Sequence, residues 1–256
     1  MSEIISFDQQ GATAIITLRR PDSMNAFTAE LRAALQKALQ RAHNDNAVRV
    51  VILTGEGRCF SAGADLNDRI DRPVTDILLH EYRPVQEAIA TMPKPVIAAV
   101  GGSAAGIGLS VALQCDLLIM AENAFLLSPF TTISLVPDGG LNWLLVRQLG
   151  YRRAFQLSVE SERISAERCV ALGLANRVAP AEQLLSAALE WARLLEKRAP
   201  LSLAATKKAM RFAADNNWAV SYELEAELQG KLLGSDDNRE GIAAFFGKRV
   251  PEFKGR

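Results

Sequence analysis

Hydrophobic residues fall in short, nearly continuous runs through the first half of the chain and in helical stripes through the second. Residues 12–18, ATAIITL, are β-branched and weakly alternating and lead into RRPD, which predicts a strand closed by a turn. From Thr28, TAELRAALQKALQRAHND sets Leu31, Leu35, Leu39 and Ala42 on one stripe, a helix with Thr28 placed as its N-cap. Residues 48–55, VRVVILTG, are apolar almost throughout and stop at glycine, the mark of a strand buried on both faces. Strand, helix and strand make one crossover unit.

The same order returns. A polar loop, GEGRCFSAGADL, precedes a helix ending near Met92, then PVIAAV (95–100) reads as a strand and GGSAAGIG as a small-residue turn. LSVALQ forms a short helix and DLLIMA (116–121) another buried strand. Such alternation predicts a largely parallel sheet with helices on its faces. After about residue 141 strands give way to successive helices: LNWLLVRQLG, YRRAFQLS, SAERCVALG and AEQLLSAALEWARLLEKR, the last stopping at Pro200. LSLAATKKAMRFAADNN, residues 219–233 and NREGIAAFFGKR add three more. There is no repeat and no low-complexity linker, so this tail is expected to pack on the first part or on a neighbouring subunit.

Composition narrows the function more than the fold. With 256 residues, 49% of them hydrophobic and 23% charged, the chain is globular and long enough for a large α/β core with a smaller appendage. Its 29 basic and 29 acidic residues cancel, which argues against nucleic acid or an anionic membrane as partner. No long apolar span and no secretory leader is present, so a cytoplasmic protein is expected. Cys59, Cys115 and Cys169 are widely spaced and have only His43 and His80 for company, so neither disulfides nor a metal site is expected.

Familiar nucleotide and hydrolase motifs fail on spacing. Gly106 and Gly108 would need a third glycine where Val111 stands, and a nucleophile elbow through Ser103 would need glycine at Ala105. What remains is a pair of small-residue loops, CFSAGADL and GGSAAGIG, each after a buried strand. Beyond the carboxyl ends of parallel strands, such loops can aim two backbone N–H groups at one oxygen, the geometry of an oxyanion hole; they can equally be tight turns that let a helix approach the sheet. Asp138, in SLVPDGGLNWLL, also has two readings. It can cap a helix starting near Gly139, and, set among apolar neighbours, it can carry a pKa raised toward neutrality and move protons.

RPDSMNAF, VVILTGEGRCFSAGADL, KPVIAAVGGSAAGIGLSVALQCDLLIMAENAF, LVPDGGLNWLLVRQLG, ALGLANRV and REGIAAFFGKRVPEF resemble the enoyl-CoA hydratase/isomerase, or crotonase, superfamily over essentially the whole chain and in the same order. The resemblance implies a spiral of ββα units (residues 1–195), a helical C-terminal region (196–256) that builds trimers or dimers of trimers, and an acyl-CoA thioester as substrate, with no cofactor beyond the coenzyme A of the substrate itself. It maps the two oxyanion donors onto the backbone N–H groups of Ala64 and Ile107, where glycine is usual at the second. By the same mapping Ala26 and residues 62–66, with Ala62, Asp65 and Leu66, line the nucleotide end of coenzyme A, and Phe245 and Lys248 reach toward its adenosine phosphate.

Hydratases of this superfamily use two glutamates, and the matching positions hold Ser110 and Phe130. A hydroxyl and a phenyl ring cannot activate water and deliver a proton as two carboxyls do. Asp138 instead matches the aspartate of the dienoyl-CoA isomerases and the 1,2-epoxyphenylacetyl-CoA isomerases. An isomerase is therefore expected, with Asp138 as acid and base and Phe130 keeping the substrate pocket dry, in phenylacetate or fatty acid breakdown. A hydratase, or a dehalogenase or hydrolase on aromatic acyl-CoA, is the second reading. The dehalogenase form of it asks for a histidine base where Glu87 stands, His80 lying too early. A non-catalytic member binding acyl-CoA or RNA is the third.

Overall fold

The computed structural model describes residues 4–68 and 71–256. The chain opens with an antiparallel pair, β1 (Ile5–Gln10) and β2 (Thr13–Leu18), in which Ile5 faces Leu18. Helix α1 (Ala29–Asn44) follows, with the Thr28 hydroxyl accepting from the Leu31 N–H at 3.3 Å and Leu31, Leu35, Leu39 and Ala42 buried, as the stripe predicts. It leads to β3 (Val50–Gly55), which lies parallel to β2 with Val51 beside Ala14.

From β3 onward each unit sends a second, short strand into a second sheet. After β4 (Cys59–Ser61), the chain runs through α2 (Val74–Ile77), a π-helical turn (Leu78–Tyr82) and α3 (Arg83–Thr91). Then β5 (Val96–Val100), β6 (Ser103–Ala105) and α4 (Ile107–Gln114) repeat the pattern, and β7 (Leu117–Ala121) and β8 (Phe125–Leu127) begin it again. Helices α5 (Leu141–Leu149) and α6 (Tyr151–Glu160), strand β9 (Ile164–Ser165), α7 (Ala166–Leu172) and β10 (Arg177–Ala179) complete the spiral, and α8 (Leu184–Glu196) lies across β2, β3, β5 and β7.

The larger sheet has the order β1-β2-β3-β5-β7-β10 and the smaller β4-β6-β8-β9. This is the spiral of ββα units that the resemblance implies. Strands β3, β5 and β7 are buried over most of their length, which explains their unbroken apolar runs: helices cover one face and the second layer the other. Three features depart from the sequence expectation. Strand β1 was not anticipated, because ISFDQQ buries only its first residue fully. Both glycine-rich loops contain strands, β4 and β6, three residues each and too short to show a period. Strands also do not end near residue 141, since β9 and β10 extend the two sheets.

Three helices close the chain: α9 (Pro200–Asp215), α10 (Trp218–Leu232) and α11 (Asp236–Phe246). Helix α9 is tied to the core by Asp116, which accepts from Lys207 Nζ at 2.6 Å and Arg211 Nη2 at 2.9 Å. It has no fully buried residue, and α10 has only Ser221. No helix among the described residues is long and apolar enough to cross a membrane.

Candidate active site

The carboxyl ends of β4 and β6 lie side by side, Ser61 pairing with Ala104, and bring the two glycine-rich loops into backbone contact. Gly63 has φ 105°, and a Cβ there would come within 3.0 Å of the Ala105 carbonyl and 3.5 Å of Gly106 Cα. Only glycine permits that approach. Phe27 pairs with this segment: its N–H donates to Gly63 O and its carbonyl accepts from the Asp65 N–H, so the intervening Ala64 turns its own N–H to the other side. Ile107 is the first residue of α4, where a helix has no internal acceptor to offer. Among the described residues neither the Ala64 nor the Ile107 N–H finds an acceptor in the protein. Two free donors thus stand one residue beyond the contact of Gly63 with Gly106.

Asp138 is bonded to α4, the helix that Ile107 opens. Its backbone carbonyl accepts from the Ser110 hydroxyl at 3.1 Å and from the Leu141 N–H at 3.0 Å. The side chain does not cap α5. Gly139 and Gly140, at φ 60° and 80°, turn the chain between Asp138 and the first helical residue, so the carbonyl rather than the carboxylate meets the helix start. Oδ1 is buried without any hydrogen-bond partner, and burial pushes the carboxyl up to about 6.

The side chain of Ile107 points at this turn. A Cβ on Gly139 would overlap Ile107 Cδ1, so the branched residue at the second donor position fills space that glycine at 139 leaves open. Phe130, buried in the 3-10 turn Phe130–Ile133, brings its ring tip to 3.8 Å of where a Gly106 Cβ would sit. Contacts through Gly63, Gly106, Ile107 and Gly139 thus link the two glycine-rich loops to Phe130 and to the turn after Asp138.

The residues expected at the nucleotide end form a second group. Asp65 Oδ2 accepts from both terminal nitrogens of Arg20, at 3.1 and 3.0 Å, and Oδ1 from the Asn67 N–H at 3.0 Å. The Asn67 N–H, with Arg20 second, holds this carboxyl below the usual range. Arg20 also donates to the Ala26 carbonyl. Ala62 donates its N–H to Met24 O at 2.9 Å, and Leu66 is 79% exposed. Phe245 and Lys248 do not join this group. Phe245 is 78% exposed and lines a groove of about 650 Å³ between α9, α10 and α11, and Lys248 stands at φ 51° just beyond α11. None of Ala64, Ile107 or Asp138 lines that groove.

Sequence reasoning missed Tyr82 and Gln86, one helical turn apart on the π-helical turn and α3, which meet the Asp138–Gly139 turn. Gln86 Nε2 donates to Gly139 O at 3.1 Å, and its Oε1 is buried without a partner. Tyr82 is buried, its oxygen accepts from Arg32 at 3.2 Å, and the Asp138 charge contributes to raising its hydroxyl to about 12, after burial as the main cause. The available signal was a glutamine between Val85 and Ile89 on a buried helical face. Among the described residues no group of three or more His, Cys, Asp or Glu is gathered for a metal.

The enoyl-CoA hydratase/isomerase family matches residues 8–256. This chain belongs to that family. It is 39% identical over 254 residues to a probable enoyl-CoA hydratase of Rhodobacter capsulatus, covering 98% of both chains. It is 37% identical to the 1,2-epoxyphenylacetyl-CoA isomerase of Escherichia coli over the full length of both. Among solved structures, an enoyl-CoA hydratase from Polaromonas sp. JS666 superposes with a TM-score of 0.93 at 40% identity, with 97% of this chain and 99% of that one covered. Enoyl-CoA hydratase/isomerase family members act on acyl-CoA thioesters and commonly form oligomers.

Proposed function

We propose that this family member is an acyl-CoA isomerase. The thioester oxygen would lie between the Ala64 and Ile107 N–H groups, and Asp138 would serve as the single acid and base. The observation that carries the reading is the Asp138 carboxyl, with Oδ1 buried and unpartnered and its pKa raised to about 6, on a turn bonded to α4, the helix whose first residue carries one of the two N–H groups with no acceptor. Asp138 takes a proton from one substrate carbon, the electron pair moves into the thioester, and the resulting enolate oxygen is held by the two N–H donors. The proton returns to a carbon further along the chain, or helps to open an epoxide ring, and no water is added or lost.

Phe130 supports a dry site, and the Ser110 hydroxyl, which is no carboxyl and is committed to Asp138 O, offers no second acid or base. An epoxide of phenylacetyl-CoA is the specific substrate we favour, supported by the full-length similarity to the E. coli isomerase. Residues 62–66 and Ala26 would receive the nucleotide end of coenzyme A, and Phe245 and Lys248 would reach it from a neighbouring copy. A trimer or dimer of trimers is supported by the tail, where Met210, Trp218, Tyr222, Phe245 and Phe246 are all well exposed.

The hydratase reading has the R. capsulatus relative in its favour. Incubation with 3-hexenoyl-CoA, crotonyl-CoA and 1,2-epoxyphenylacetyl-CoA separates the two. We expect the first or third to be rearranged and crotonyl-CoA to remain unhydrated. Asp138→Asn should lower turnover at least about 1000-fold while thioester affinity stays within about threefold. Full activity in that variant, or rapid hydration of crotonyl-CoA, would overturn the assignment.

A further inference from the structure

No side chain bonds Asp138 Oδ1, so the direction of the carboxylate depends on the backbone beneath it. That backbone is gripped at two successive carbonyls. From α4, Ser110 Oγ donates to Asp138 O at 3.1 Å; from α3, Gln86 Nε2 donates to Gly139 O at 3.1 Å. Ser110 is fully buried and Gln86 is 8% exposed, so both donors are shielded from bulk water. Between them Ile107 Cδ1 presses on Gly139. Side chains from two helices therefore converge on one dipeptide, and one of them, Ile107, also carries a free N–H of the candidate oxyanion site.

Gln86 is a poor choice for packing alone. Its Oε1 is buried and unbonded, a cost to stability that a methionine of similar shape would avoid. Turning the amide over would set two oxygens against each other at Gly139. What the amide gains in this orientation is the bond to Gly139 O.

We propose that Ser110 and Gln86 are positioning residues, which hold the Asp138 carboxylate at its working angle by bonding the carbonyls of Asp138 and Gly139. Ser110 thus occupies a hydratase glutamate position yet acts through another residue. The inference rests on the isomerase reading, since it concerns how the acid and base of that reading is aimed.

The test compares Ser110→Ala, Gln86→Met, the double variant and Asp138→Asn on 3-hexenoyl-CoA, or on 1,2-epoxyphenylacetyl-CoA if that is the thioester consumed. A small misplacement of a reacting group can cost on the order of 100-fold. Each single clamp variant should lower kcat about 10- to 100-fold with KM within about twofold, and the double variant should fall no more than about threefold below the worse single, because both bonds restrain one unit. The inference fails if kcat stays within about twofold of the parent, if the loss appears in KM, or if the effects multiply in step with a falling Tm. Should Gln86→Met not fold, Ser110→Ala, which removes one oxygen, decides the matter by the same kcat and KM criteria. Clamp variants as active as the parent beside an inert Asp138→Asn overturn this inference alone. An active Asp138→Asn, or a parent inert toward both thioesters, overturns the isomerase reading and this inference with it.

Discussion

Two loops, each carrying an aspartate, flank the candidate site and treat the same side chain in opposite ways. In the loop after β4, both Asp65 oxygens are engaged, by Arg20 and the Asn67 N–H, and the carboxyl sits below its usual range. In the loop before α5, Asp138 has a buried oxygen with no partner and is pushed up to about 6. Neither residue is fully buried, yet burial is the main cause of the rise at Asp138, whereas hydrogen bonds from the Asn67 N–H and Arg20 outweigh it at Asp65. A carboxylate that is bonded on both sides staples a loop; one with a buried oxygen that lacks a partner can take up and release a proton near neutrality.

The contrast is broken most severely at Gly139. Its φ of 60° and the Ile107 Cδ1 atom in the place of a Cβ leave no room for any side chain. Gly139→Ala should cost about 2–4 kcal/mol of stability, from backbone strain and overpacking together. Because the relaxation must move either Asp138 or the residue bearing the Ile107 N–H, turnover should fall at least about 100-fold even in the fraction that stays folded. Thermal unfolding and kcat measured on one preparation check both effects. An alanine variant with the parent's kcat would show that the Asp138 loop tolerates movement, and that its isolation from partners is incidental.

Much of this arrangement was legible in the sequence, for reasons that differ from residue to residue. The stripe of Leu31, Leu35, Leu39 and Ala42 and the apolar run of β3 report burial through their periodicity, and both elements stand where that pattern sets them. The two glycine-rich loops were legible because close backbone approach leaves a compositional trace, as at Gly63 against Ala105. The capping role read for Asp138 was misleading, since whether a carboxylate meets a helix start depends on the two residues between. At Gly139 and Gly140 a pair of left-handed conformations swings it away. Strands β4 and β6 are too short for any period, and they exist because each finds the other across long stretches of chain. Gln86 was hidden for the same reason: its partner at Gly139 is 53 positions away, a proximity that only the stacked spiral creates.

The smallest effects should give the sharpest comparison, because they differ in sign. The folded pKa of Asp138 lies above its unfolded value, so the native state holds its proton longer and stability is lost as pH rises from about 4 through about 6. A rise from about 4 to about 6 corresponds to at most about 3 kcal/mol, and an unbonded asparagine amide would give back about 1 kcal/mol. Asp138→Asn should therefore be about 1–2 kcal/mol more stable than the parent at pH 8, raising Tm by a few degrees, and no more stable below pH 4. Asp65 is the reverse case: its folded pKa lies below the unfolded one, so its contribution is present above the unfolded value and is lost as pH falls through the folded one. Asp65→Asn should be destabilised by roughly 0.5–1 kcal/mol at pH 8, as suits a partly exposed ion pair, and should converge on the parent in acid. Melting curves of the parent and the two variants between pH 4 and pH 8 should diverge in opposite directions as pH rises. If both variants lose stability at pH 8, the Asp138 carboxylate is as well partnered in solution as Asp65, and a proton carrier with an unpartnered oxygen is no longer a tenable description of it.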